Sequence, residues 1–169
     1  MLVAVVSDTH DNMDAIRKLI DSFRRHKPDI VIHLGDIVSP FALRGLLSFP
    51  ARYIIVLGNN DGDKALLREV AMKAGAVLKD QMHEFSLENL KILAIHGFGS
   101  VELTKSLVEA LALSNKYDII LYGHTHRVDV RKIGKTLIVN PGECCGYLTN
   151  ERTFALLNTR TLDIRIENL

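Results

Sequence analysis

The chain has 169 residues, close to one domain on a span of ~100–200 residues per domain; 47% are hydrophobic and 24% charged, which excludes intrinsic disorder as the main state. Twenty-one Lys and Arg against twenty Asp and Glu leave a net charge of +1, so no global field draws the chain to nucleic acid or to an anionic membrane. A local cationic site is still open.

In chain order, Val- and Ile-rich runs at 2–6, 30–34, 53–57, 91–95 and 118–122 have the length of strands. Their near-continuous apolar character suits strands covered on both faces. Between them, Met13, Ile16, Leu19, Ile20 and Phe23 share one helical face, with Asn12 as its cap. A second helix is predicted after a capping Asp63, and a third carries Val101, Leu107, Val108 and Leu111. Gln81–Leu87 reads as a hairpin partner of the 91–95 run through Asn89-Leu90. The C-terminal runs 128–132, 135–139, 153–157 and 162–166 are short and β-branched, with hairpin connections at 133–135 and 158–161. The expected fold is α/β: a four-layer α-β-β-α sandwich of two mixed sheets with flanking helices, one domain over 1–169.

No apolar run approaches the ~20 residues needed to span a bilayer. Residues 1–6 lack a basic flank and soon meet Asp8, so they read as a strand rather than a signal peptide. Cys144 and Cys145 are adjacent and cannot staple a scaffold; as buried small residues they fit a reducing, cytoplasmic interior.

The informative feature is the group of residues at the end of each strand-like run. Run 2–6 leads into Ser7-Asp8-Thr9-His10, run 30–34 into Gly35-Asp36, and run 53–57 into Gly58-Asn59-Asn60-Asp61. Run 91–95 ends at His96-Gly97, and run 118–122 leads into Gly123-His124-Thr125-His126. Open α/β sheets bind ligands at the carboxyl ends of their strands. Any one Asp there is ordinarily a turn residue or cap, and a lone His96 would be a hydrogen-bonded core histidine. Five coincident placements point to a site. His124 and His126 are expected on one side of an extended segment, as chelation requires. The set holds oxygen and imidazole donors without thiolate, which suits Mn, Fe, Co, Ni or Zn, and seven donors suit two ions. Two divalent ions offset by Asp8, Asp36 and one hydroxide keep a net positive charge, which favours a phosphate ester as substrate.

These motifs resemble the calcineurin-like metallophosphoesterases, whose pattern Asp-x-His, Gly-Asp, Gly-Asn, His, Gly-His-x-His is met in order by Asp8/His10, Asp36, Asn59, His96 and His124/His126. The likeness extends to about Arg152, through Asn140-Pro141-Gly142, and the small size resembles the compact YfcE-type phosphodiesterases. The resemblance implies that Asp8, His10 and His126 hold one ion, that Asn59, His96 and His124 hold the other, and that Asp36 bridges them. It also implies two divalent ions, manganese first, and a shared hydroxide that attacks phosphorus in line.

Three departures carry consequences. Asn60 stands where many relatives have a histidine; an amide donates a hydrogen bond but is no general acid near neutral pH, which favours diesters or good leaving groups. Glu143 replaces the serine of Asn-Pro-Gly-Ser and reads either as a carboxylate at the mouth repelling dianionic monoesters or as a solvated loop residue. Cys144-Cys145 has no counterpart. Asp61 is expected to orient a neighbour such as His10, and His33 to be a satisfied core histidine.

The competing reading is a non-catalytic scaffold of the same fold, as in the retromer subunit of vacuolar sorting; a full set of seven ligands argues against it. Specific nucleic-acid binding is not expected without a basic stripe or aromatic platform. Self-association through an exposed helix face or sheet edge is compatible with the composition.

Overall fold

The computed structural model describes residues 1–169. In chain order the elements are β1 (Leu2–Val6), α1 (Met13–His26), β2 (Ile30–His33), α2 (Pro40–Leu46), β3 (Arg52–Val56), α3 (Lys64–Lys73) and β4 (Val77–Lys79). They continue with β5 (Met82–Leu87), β6 (Leu90–Ile95), α4 (Val101–Leu113), β7 (Ile119–Tyr122), β8 (Val128–Ile133), β9 (Thr136–Pro141), β10 (Thr153–Asn158) and β11 (Ile164–Asn168).

One sheet runs β11-β10-β1-β2-β3-β4 and the other β5-β6-β7-β9-β8. Within the first, β1, β2, β3 and β4 are parallel, β10 is antiparallel to β1, and β11 is antiparallel to β10; within the second, β6, β7 and β9 are parallel. Alternate residues of β1 explain the layering. Val3 and Val5 face the second sheet with Ile30, Ile32, Val56, Ile92 and Leu121. Ala4 and Val6 face the helices, with Ile16, Leu19, Phe23 and Leu43. A smaller cluster of Val108, Ala112, Ile120 and Tyr122 seats α4 on the far side of the second sheet. The result is the expected α-β-β-α sandwich. Because both faces of the central strands are covered, their sequences lose the alternation of a half-exposed strand, and each Val or Ile so buried contributes about 1.5–3 kcal/mol.

Local signals set the helix ends. Asn12 Oδ1 accepts from Ala15 N, Asp63 from Leu66 N and Ser100 Oγ from Leu103 N, each closing an N-terminus. Helix α1 stops at Lys27, whose left-handed conformation (φ 53°) precedes Pro28. Two elements escape the sequence pattern: α2 has only seven residues and β4 three, too few to establish a period. No helix is long and apolar enough to cross a membrane.

Candidate metal centre

The carboxyl ends of β1, β2, β3, β6 and β7 meet at one edge of the sandwich. There Asp8, His10, Asp36 and His126 each place a donor atom within 4.8 Å of the others. Asp8 is fully buried; its Oδ2 accepts from Ser7 Oγ at 2.5 Å and from His124 N at 3.2 Å, while Oδ1 has no hydrogen-bond partner. That orphaned oxygen lies 3.4 Å from His126 Nε2, and Asp36 Oδ2 lies 3.8 Å from His10 Nε2. Burial raises the Asp8 pKa, although His96 and His126 pull the other way. For Asp36 burial is outweighed by bonds from His96 and Asn60, which hold its carboxyl below the usual range. A buried carboxylate oxygen with no donor, faced by imidazole nitrogens, lacks only a cation. The residues fit a divalent metal.

The imidazoles are held by their second nitrogens. His96 Nδ1–H donates to Leu34 O at 2.7 Å, which turns Nε2 toward Asn59 Oδ1 at 2.9 Å and Asp36 Oδ1 at 3.5 Å. His126 Nδ1–H donates to Glu143 Oε2 at 2.8 Å. His124 is different: its Nε2–H donates to Gly99 O at 2.8 Å, so only Nδ1 is free. Its ring lies edge-on to His96 at 5.2 Å, outside the compact group around Asp8.

The backbone is bent hard to reach this geometry. Asp8, His10, Asp36, His124 and His126 all have positive φ, between 46° and 68°. Left-handed conformations at non-glycine residues cost on the order of 1–3 kcal/mol each and collect at functional sites. The expectation that His124 and His126 lie on an extended segment is therefore corrected: they sit in a tight bend after β7. Close approach explains one glycine in particular. A Cβ on Gly58 would stand 2.2 Å from Asp36 Oδ1, so only glycine lets β3 pass that carboxylate.

Other expectations are relocated. Asn60 turns onto Asp36, its backbone N and Nδ2 donating to Oδ1 and Oδ2 at 2.8 and 2.7 Å. Asp61 does not orient His10. Buried, it accepts four backbone N–H groups, from Asp36, Ile37, Val38 and Gly58, at 2.6–3.1 Å, and so clamps the β2 and β3 loops together. His33 is the satisfied core histidine expected: Gly35 N donates to Nδ1, Nε2–H donates to Thr9 Oγ1, and burial pushes its pKa down to about 3. Cys144 and Cys145 are buried free thiols.

Glu143 is the largest correction. It is neither a repelling group at the mouth nor a solvated loop residue but fully buried against His126. It lies just beyond β9, so a sixth strand delivers a polar group near its carboxyl end, and that shared placement is the signal that could have found it.

The calcineurin-like phosphoesterase superfamily domain matches residues 1–162. The chain belongs to this superfamily. It is 35% identical over 166 residues to a phosphodiesterase of Methanocaldococcus jannaschii, covering 98% of this chain and 97% of that protein. Among solved structures, an archaeal phosphodiesterase superposes with a TM-score of 0.91 at 34% identity, over all of both chains. Vps29 of Entamoeba histolytica superposes at 0.74 over 100% of this chain and 98% of its own, but at 18% identity the likeness is one of fold. A calcineurin-like phosphoesterase thus presents its acids and imidazoles at the strand ends where the sequence motifs fall.

Proposed function

We propose that this calcineurin-like phosphoesterase is a metal-dependent phosphodiesterase of small phosphate esters, working as one domain over residues 1–169 in a reducing cytoplasm. In this reading Asp8, His10 and His126 surround one divalent ion, Asn59, His96 and His124 a second, and Asp36 is shared. Manganese is the first ion to try; nickel, iron, cobalt and zinc share the same donor preference. The observation that carries the reading is the buried, unpartnered Asp8 Oδ1 inside a four-residue cluster of donors.

Bound divalent ions would supply Lewis acidity toward the phosphoryl oxygens and a water acidified toward neutrality. The chain's own residues do the rest. Asp8 and Asp36 concentrate negative charge where positive charge is to be held. Leu34 O and Glu143 keep His96 and His126 turned with Nε2 inward. Asp61 fixes the loops that carry Asp36 and Asn59. Asn60, with one amide hydrogen on Asp36, has a second to offer a phosphoryl oxygen but no proton to give a leaving alkoxide. That limits the site to diesters and good leaving groups. A depression of about 360 Å³ beside His126, lined by Lys105, Arg127, Leu148 and Thr149 among others, gives room for the second substituent of a diester.

The deciding experiment strips the protein of metal, restores Mn²⁺, and compares bis-p-nitrophenyl phosphate with p-nitrophenyl phosphate. Metal-dependent turnover of the diester, lost in His96→Ala, is expected. Metal binding without turnover of either ester would return the scaffold reading to first place.

A further inference from the structure

Glu143 gathers more partners than any other acid in the chain. Its Oε2 accepts from His126 Nδ1 at 2.8 Å, Tyr147 N at 3.1 Å and Cys145 Sγ at 3.1 Å. Its Oε1 accepts from Leu148 N at 2.9 Å, Thr149 N at 2.5 Å and Thr149 Oγ1 at 2.7 Å. Three consecutive backbone N–H groups, outside any helix or strand, thus close on one fully buried carboxylate. Each of these contacts has its hydrogen on the partner, so the carboxylate is the acceptor at every one.

The segment it gathers borders the candidate centre. The Tyr147 ring lies 6.0 Å from the His10 ring and is 60% exposed, and Leu148 and Thr149 share the depression beside His126. One side chain therefore sets both the tautomer of a candidate ligand and the course of the chain at the mouth. A serine there has a single short hydroxyl and cannot span both. A glutamine has one carbonyl oxygen, so its amide nitrogen must face one of the two groups of donors.

We propose that Glu143 is a positioning residue that couples His126 to the 147–149 segment, so that metal affinity and the order of the mouth rise and fall together. This rests on His126 being a metal ligand, and it gives the 147–149 segment a task that neither the fold nor the ligand set requires of it.

The test uses the full chain with Glu143→Gln and Glu143→Ser, the first nearly isosteric in case the second does not fold. Mn²⁺ titration by calorimetry is expected to show an affinity about 10–100-fold weaker than wild type in either variant, the range for loss of an outer partner of a ligating histidine. Nitrogen NMR of ¹⁵N-histidine-labelled protein should show His126 losing its fixed Nδ1–H form. Amide exchange at 147–149 should quicken by about tenfold in the same variants, and Mn²⁺ should slow it in the wild type. Glu143→Gln with Mn²⁺ affinity within twofold of wild type would overturn the proposal, as would faster exchange at 147–149 with affinity unchanged. A wild-type chain that binds no divalent ion would overturn the metal reading itself and this proposal with it.

Discussion

The two sheets contribute to the centre in opposite ways. The first sends two carboxylates, an amide and one imidazole, His10, from β1, β2 and β3, and its loops are held by donors: four backbone N–H groups converge on Asp61, and Asn60 donates twice to Asp36. The second sends imidazoles from β6 and β7, and these are held by acceptors: Leu34 O, Gly99 O and Glu143. Charge thus comes mainly from one sheet and oriented lone pairs from the other. A carboxylate is fixed by what donates to it, an imidazole by what accepts from it, so each kind of ligand needs a different surrounding. Two buried histidines make the same point. His33, with both ring nitrogens already bonded, is pushed down to about 3, whereas His96 beside Asp36 and Asp8 is raised despite its burial.

The acidic side of that contrast gives the largest expected effects. Asp36→Ala removes the carboxylate that faces both His10 and His96, and Mn²⁺-dependent diester hydrolysis should fall by more than the about 10²–10³-fold that loss of one preorganised donor costs. Asp61→Ala leaves four backbone N–H groups without their acceptor and should destabilise the fold by about 3 kcal/mol or more in urea titration, with unchanged stability as the refuting result. Gly58→Ala tests the close passage of β3. Overpacking against Asp36 should cost about 1–3 kcal/mol and lower Mn²⁺ affinity as well.

His33 probes the difference between the two buried imidazoles through pH. Its folded pKa of about 3 lies below the ordinary value of 6.5, so the unfolded state binds the extra proton between them. Its contribution is present in full above pH 6.5 and is lost as pH falls toward 3, with a slope of up to about 1.4 kcal/mol per unit. His33→Gln should flatten that part of the stability profile; an unaltered slope would mean that other groups set it. The smallest expected effect is in selectivity. Asn60→His should raise turnover of phenyl phosphate relative to p-nitrophenyl phosphate by roughly tenfold, at the low end of what a positioned general acid supplies because its surroundings were not built for it. An unchanged ratio would remove the proposed restriction to good leaving groups.

Periodicity and strand-end residues are enough to read the α-β-β-α architecture, the caps at Asn12 and Asp63, and one site fed by Asp8, His10, Asp36, Asn59, His96, His124 and His126, while the grouping of Asp8, His10 and His126 around Asp36 comes from the family resemblance. Apolar runs of a fixed length and polar residues at their ends are local properties, and local properties are written in the order of the chain. The partners of those residues are not local. Asp61 meets the backbone of residues 36–38 across more than twenty positions, and His124 bends away to Gly99 because of φ angles that no side-chain pattern announces. Glu143 reads as a surface charge because nothing next to it in sequence says it is buried. Packing the end of β9 against the bend after β7 makes it the acceptor for His126 and for three N–H groups that have no other partner. Chain order alone dictates which groups stand at the strand ends. What each one touches is settled by packing, because hydrogen bonds over such separations exist only once both sheets have come together.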